Sequence, residues 1–250
     1  MEQKNEWAAD RIEGRNPVIE ALKSGRCIDK LFIQKDLTDG SLGRIRALAR
    51  EKGIAVSEAA KQKLDHLSQT GAHQGVIACT AMHEYVSVEA ILKIAEEKGE
   101  APFIVIADEI NDPHNLGSIL RTANAAGAHG VIIPRHRSVG LSAVVAKSSA
   151  GAIEYVPVAR VTNLVRTVED LKKQGLWAAG AAMEGSQPYY EADFMGGLAL
   201  VIGSEGFGIS RLLKESCDFL VSIPMKGEIN SLNASVAAGI LMMEAARQRG

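Results

Sequence analysis

Three stretches of this 250-residue chain combine side chains that donate, accept or carry charge with glycines that let a backbone approach a ligand closely. The first runs from Asp108 to Gly130, DEINDPHNLGSILRTANAAGAHG, and offers Asn115, Gly117, Arg121 and Asn124 directly after an apolar run. Spacing predicts a turn at Asp112-Pro113 and a helix capped by Asn115. Arg121 is then either a surface salt-bridge residue or an arginine held beside a phosphate or ribose. Six positions separate it from Asn115, and a 3.6-residue repeat does not put the two on one line. The second stretch, LVIGSEGFGIS, leads a strand into Gly203, Glu205, Gly206 and Gly208. It matches neither GxGxxG nor a GxxxxGK[ST] loop, and the acidic Glu205 disfavours a phosphate at that turn. A nucleoside held by backbone groups fits it better than NAD or ATP; a plain tight strand–helix turn fits it as well. The third, IPMKGEINSLNASVAAGILMMEAARQR from Ile223, puts Lys226 and Asn230 on a loop before a long small-residue helix. Ser231 is its expected N-cap, with Asn233 in the first turn and Ser235 beyond. Ala234, Ala237, Ala238 and Gly239 keep one side of that helix thin, for helix packing, for ligand approach, or for both.

The elements that must position these stretches are also readable. Apolar runs FIVIA from Phe103, GVIIP from Gly130, EYVPV from Glu154, LWAAGAA from Leu176, LALVIG from Leu198 and FLVSIP from Phe219 alternate with helical segments. Such continuous runs predict a parallel sheet covered on both faces, whose ligands bind beyond the carboxyl ends of its strands. Upstream, a helix VIEALKS is expected after Asn16-Pro17, with Gly25 as its stop. Strand KLFIQ, helix SLGRIRALAREKG, strand IAV, a helix through Leu64 and Leu67, and strand QGVIACT follow, a small α/β sandwich. Between the two parts, Glu84 to Glu100 carries five acidic and two basic residues, with Val88, Ile91, Leu92 and Ala95 at helical spacing. The expected organisation is 1–83, a helical connector 84–100, and 101–250.

Composition excludes several classes. A hydrophobic share of 46% with 23% charged residues belongs to a globular chain, and 4% aromatics means an aliphatic core. Cys27, Cys79 and Cys217 are far apart with no CxxC, so neither a zinc ribbon nor a disulfide framework is suggested. His114 and His129 lack HExxH spacing, and no metal is expected. No apolar stretch reaches membrane-spanning length, and MEQKNEWAADRIEGR has no apolar core of a secretory signal, so a cytoplasmic protein is expected. The net charge of −2 argues against nucleic acid only as a total: residues 1–83 carry 13 basic and 11 acidic side chains, 101–250 carry 13 and 14.

D-x-x-x-D-P-x-N-x-G-x-x-x-R-T-A from Asp108, then a strand into G-S-E-G-x-G, then I-P-M followed by S-L-N-x-S, resembles in order the three motifs of the SpoU/TrmH branch of the SPOUT RNA methyltransferases. The segments GRNPVIEAL and HQGVIA resemble that family's small, ribosomal-protein-like substrate-binding domain. The likeness spans nearly the whole chain and points to the RlmB-type ribosomal RNA 2′-O-ribose methyltransferases in particular. It implies an α/β catalytic domain with a deep trefoil knot, binding of S-adenosylmethionine, and a homodimer with active sites beside the subunit interface. It also implies a cofactor pocket lined by Gly203, Ile223 and Leu232, and a catalytic set of Asn115, Arg121, Glu205, Ser231 and Asn233.

Such a reaction is an in-line attack of a ribose 2′-oxygen on a sulfonium methyl, in which the protein supplies positioning and help with the hydroxyl proton. A guanidinium stays protonated and is a poor base, so Arg121 is expected to clamp phosphate and ribose. RNA contacts are expected from Arg11, Arg15, Arg135 and Arg137, with Lys23, Arg26 and Lys147 as further cations; for Arg135 and Arg137 around His136, and for Lys147, ordinary solvated loop charge is the competing reading. Ribosomal RNA is the first substrate expectation and transfer RNA the second. A non-catalytic RNA-binding or ribosome-assembly module, and a dinucleotide oxidoreductase, are the competing classes.

Overall fold

The computed structural model describes residues 11–24, 26–37, 39–68, 70–80, 83–183, 186–228 and 231–250. Gly25 and Asn230, singled out above as a helix stop and a loop residue, lie outside the described residues. Two compact units divide the chain, one through Glu84 together with 140–144, the other Tyr85–Val139 and Val145–Gly250.

The first unit runs β1 (Arg11–Glu13), α1 (Arg15–Lys23), β2 (Ile28–Gln34), α2 (Gly40–Glu51), β3 (Ala55–Ala59), α3 (Lys61–Leu67) and β4 (Val76–Thr80). Its sheet has the order β1-β4-β2-β3, antiparallel except for the β2–β3 pair. Strand β1 was not anticipated; three residues are too few to show a period, and pairing with β4 is what fixes them. One face of the sheet packs Leu31 and Ile33 against Val18, Leu22, Leu42 and Ile45 of α1 and α2. The other sets Ile77 against Leu64 of α3. Helix α1 starts one residue before Asn16, behind Gly14 at φ 90°, with no side-chain cap, so the Asn16-Pro17 cap is corrected. Arg15 draws the start earlier by donating through Nε to the Gln74 carbonyl and pairing with Asp39 at 2.8 Å.

In the second unit α4 (Val88–Lys98) leads into β5 (Phe103–Ala107), α5 (Pro113–Ala125), β6 (Gly130–Pro134), α6 (Ala143–Ser148, whose first two residues belong to the first unit), β7 (Val158–Val161), α7 (Leu164–Lys173) and β8 (Trp177–Ala181). The short β9 (Gln187–Pro188), β10 (Leu198–Ile202), α8 (Arg211–Ser216), β11 (Phe219–Ser222) and α9 (Ala234–Arg249) complete it. The described strands form one parallel sheet in the order β7-β6-β5-β10-β8-β11-β9. Ile104, Ile106, Ile132 and Val201 face Ile91 of α4, Val168 and Leu171 of α7 and Leu213 of α8. Strand alternation turns the equally buried Val105, Val131 and Leu200 to the opposite face, where α5 and α9 pack together. Residues 84–100, set apart in the sequence, thus supply a helix whose Ile91 and Ala95 are core of this unit. The strand expected from Glu154 begins only at Val158, after a 3-10 turn at Ala152–Glu154; Pro157 lacks the N–H a ladder needs and sits just outside it.

Candidate active site

The first polar stretch places the cap of α5 three residues earlier than Asn115. Asp112 is the cap, its carboxylate accepting from the His114 N–H at 2.8 Å, and Pro113 takes the first helical position. Asn115 is therefore not a cap; it lies buried in the first turn with its amide free to reach across the sheet. Its Nδ2 donates to Glu205 Oε1 at 2.9 Å, and its Oδ1 accepts from Asn233 Nδ2 at 2.9 Å. Asn233 Nδ2 also donates to Glu205 Oε1, and the Ala234 N–H approaches the same oxygen at 3.4 Å. Asn233, rather than Ser231, is the N-cap of α9: its Oδ1 accepts from the Ser235 N–H at 3.0 Å and the Val236 N–H at 3.3 Å. With both ends of its side chain engaged, Asn233 fixes the helix start and the cluster together. The three stretches meet through these three residues, which follow β5, β10 and β11.

The β10 turn closes on itself. Ser204 and Gly208 exchange backbone hydrogen bonds of 3.1 and 2.9 Å, and Gly208 adopts φ 65°. A Cβ on Gly203 would lie 2.0 Å from the Gly208 carbonyl carbon, so that position admits glycine alone without a backbone shift. Buried Asp108 braces the next turn by accepting from the Ser210 N–H at 2.8 Å. Beside this turn opens a cavity of about 470 Å³, lined among others by Gly203, Ile223 and Leu232, with Val221, Ile202 and Leu241 contributing apolar walls. Glu205 and Ser231 also line it and are exposed. Sequence reasoning passed over Ser204, whose buried hydroxyl lines the cavity with no hydrogen-bond partner among the described residues. It also passed over the Ala181–Met183 wall after β8. The rule that ligands sit past strand ends was the signal for both.

Arg121 is exposed on α5, makes no hydrogen bond or ion pair among the described residues, and does not line the cavity. The arginines expected to meet RNA differ in their engagements. Arg11 donates to the Leu67 carbonyl, and Arg15 pairs with Asp39. Arg137, at φ 58°, pairs with Glu109, at φ 54°, over 3.1 Å. Arg135 instead lines a second cavity on the β7 side. Lys23 pairs with Glu20 at 2.7 Å.

His129 is buried, its Nδ1 accepting from the Phe103 N–H at 3.0 Å and its Nε2 facing Glu100 at 3.0 Å; burial holds its pKa below the ordinary value against the Glu100 hydrogen bond. Cys217 is pushed up to about 11 by burial and, less, by the neighbouring Asp218 charge, so its thiol is no nucleophile at neutral pH. Among the described residues no group of three or more His, Cys, Asp or Glu could hold a metal ion, and no helix is long and apolar enough to cross a membrane.

The SpoU rRNA Methylase family profile matches residues 102–243, and one described as RNA 2′-O ribose methyltransferase substrate binding matches 11–86. The chain is 51% identical over 240 residues to the Bacillus subtilis protein named "Putative TrmH family tRNA/rRNA methyltransferase YacO", covering 96% of each. It is similar to the SpoU methyltransferase AviRb from Streptomyces viridochromogenes, solved in complex with AdoMet, at 27% identity and TM-score 0.59 over 99% of this chain and 94% of that one. The AdoMet-bound rRNA methyltransferase from Sinorhizobium meliloti is 25% identical at TM-score 0.59, covering 95% and 87%. With one profile across more than half of its length and a relative half identical along nearly all of it, the chain belongs to the SpoU rRNA methylase family.

Proposed function

We propose that the chain transfers the methyl group of S-adenosylmethionine to a ribose 2′-hydroxyl of structured RNA, a guanosine of 23S ribosomal RNA, with transfer RNA as the alternative substrate. The observation that carries this reading is the Asn115–Glu205–Asn233 cluster built at the edge of an apolar cavity by three strand ends. The AdoMet in the AviRb complex and the substrate-binding profile over 11–86 support the cofactor and the RNA.

The cavity fits the cofactor. Its volume of about 470 Å³ falls within the roughly 300–1,000 Å³ of small-molecule sites. Ile202, Val221, Ile223 and Leu232 offer apolar walls to a purine, the Ser204 hydroxyl is a buried polar group awaiting a partner, and the Glu205 carboxylate on the rim suits a cation. When bound, the cofactor supplies a methyl made electrophilic by its sulfonium charge. Gly203, Ile223 and Leu232 hold it; Glu205 orients Asn115 and Asn233; Ser231 and Asn233 position the ribose. Arg121 clamps the target phosphate and stabilises negative charge developing on the 2′-oxygen. Residues 1–83 grip the RNA, 84–100 join, and 101–250 carry out the transfer in the cytoplasm.

The reading includes a homodimer through the catalytic domain. Helix α9 leaves Val236 and Met243 about half exposed, apolar surface that a second copy would cover. The test is transfer of tritiated methyl to transcribed 23S rRNA and to a transfer RNA pool, with 2′-O-methyl mapping of the product and of RNA from a deletion strain. A label on a ribose of 23S rRNA, missing at the same nucleotide in the deletion strain, is expected. No label on either RNA, or a label on a base, overturns the reading.

A further inference from the structure

The second cavity lies wholly within the catalytic unit and measures about 380 Å³. Arg135, Arg160 and Arg166 line it, with the first residues of α4 and one side of α7, from Asn163 to Gln174, forming the rest of its wall. The α4 start carries partial positive charge and adds to the field of three guanidinium groups. Its acids are already committed: Asp170 pairs with Lys173 at 2.8 Å and lies 3.8 Å from Arg166, and Glu89 is held at the α4 start by Ser87 and its own N–H. Arg160 is braced by the Tyr85 ring 5.2 Å away and by donation to the Arg135 carbonyl at 3.2 Å. Arg166 is 81% exposed and holds Asp170 only through a long 3.8 Å contact, which leaves its guanidinium within reach of a large ligand.

We infer that this cleft is a phosphate-binding subsite for the backbone of the substrate RNA, beside the nucleotide being modified. This rests on the methyltransferase reading above. The sheet is parallel, so the carboxyl ends of β6 and β7 share one edge with those of β5 and β10. At about 4.8 Å per strand, the end of β7 stands roughly 14 Å from that of β10, within reach of neighbouring phosphates on one RNA strand. The loop after β6 divides its arginines accordingly: Arg137 turns to Glu109 after β5, Arg135 to the cleft. Guanidinium forks match phosphate oxygens, and a contact to phosphate carries no base preference, so the subsite fixes register rather than sequence.

The experiment is fluorescence anisotropy of a labelled 20-nucleotide mixed-sequence oligoribonucleotide with the full chain, across a KCl series. Arg166→Glu and Arg160→Gln are compared with the intact protein, each checked by thermal melting and by calorimetric titration with S-adenosylmethionine. Arg166→Glu removes an exposed side chain, so folding is retained even if Arg160→Gln loosens its brace. Weaker RNA binding by about three- to tenfold is expected for Arg166→Glu, with a salt slope smaller by about 0.7 per lost phosphate contact and cofactor affinity unchanged. If the intact chain binds the RNA and Arg166→Glu binds it equally with the same slope, the cleft assignment falls and the methyltransferase reading stands. If the intact chain binds no RNA, both fall. Saturable binding of inorganic phosphate that Arg166→Glu abolishes, with RNA binding untouched, reassigns the cleft to a small anion and overturns the inference.

Discussion

Asn115→Asp is isosteric and changes one atom at the centre of the cluster, replacing the Nδ2 donor that faces Glu205 Oε1 at 2.9 Å by an acceptor. Two unit charges at that distance repel by about 1.4 kcal/mol at the dielectric of water and about 6 kcal/mol at an effective value of 20. Glu205 is exposed, so screening favours the lower end. Loss of a hydrogen bond to a charged group adds about 1.5–3 kcal/mol before relaxation. Allowing for rearrangement, the expected deficit is roughly 2–4 kcal/mol, or about 30- to 1,000-fold in kcat if the network acts in the transition state. The pH dependence is the sharper test. Two carboxylates in contact share a proton at low pH, and the shared O–H restores a donor where the amide stood. A repulsion of about 1.4 kcal/mol raises the pKa of the shared proton by only about one unit above an ordinary carboxylate, so the deficit relative to the unmodified protein is full from pH 9 down to about 6 and shrinks as the pH falls toward about 5. The assay is tritiated methyl transfer to RNA at saturating cofactor across that range, with melting curves to count folded protein. A variant within threefold of the unmodified rate at pH 9 would refute the argument that the Asn115–Glu205 bond matters to the reaction.

Gly203→Ala puts a methyl 2.0 Å from the Gly208 carbonyl carbon and should lower the melting temperature by several degrees; Gly206→Ala meets nothing within 4 Å and should leave it unchanged. Equal melting temperatures by calorimetry would show that the turn yields more easily than its packing implies. Buried His129 has a folded pKa below its unfolded value, so its contribution is full above about pH 6.5 and is lost as acidification protonates Nδ1, which accepts from Phe103. His129→Gln, whose amide oxygen can still accept that bond, should lose less stability than the unmodified protein between pH 7 and 5; parallel melting curves would exclude His129 as a source of acid sensitivity. Met243→Glu charges the half-exposed face of α9, and light scattering should show a shift from dimer to monomer. A dimer unchanged in mass would move the proposed interface elsewhere.

The strands that carry the site were legible because burial on both faces leaves a continuous apolar signature: LALVI and FIVIA are buried at every position. Helix starts were not. Asn16, Asn115 and Ser231 are each competent caps, and Gly14, Asp112 and Asn233 stand two or three residues away and serve instead. Propensity cannot choose between two cap-forming residues in one turn; tertiary partners choose, as Arg15 does at α1 and the Asn115–Glu205 pair does at α9. The residue types past each strand end announced a polar site, but a contact spanning 90 positions, such as Asn115 to Glu205, has no signature in local spacing.

Charge shows the same limit in a form that bears on RNA. A net of −2, or a surplus of two on residues 1–83, counts cations without saying which are already paired. Arg15, Lys23 and Arg137 each hold a carboxylate of their own chain at 3.1 Å or less. An arginine so held meets a phosphate only by exchanging one anion for another, which returns little of the pair's energy. Arg160 and Arg166 have no signature in the sequence, because they lie within an ordinary strand and an ordinary helix with no glycine or motif around them. They gain their place from fold geometry: Arg160 is fixed by Tyr85 and by the Arg135 carbonyl, and the α7 start brings Arg166 to the same opening. For a chain of nearly neutral net charge, the proposed RNA surface is set by where the cations fall along one edge of the sheet rather than by their total, and the β6–β7 end of that edge brings three arginines to one cleft.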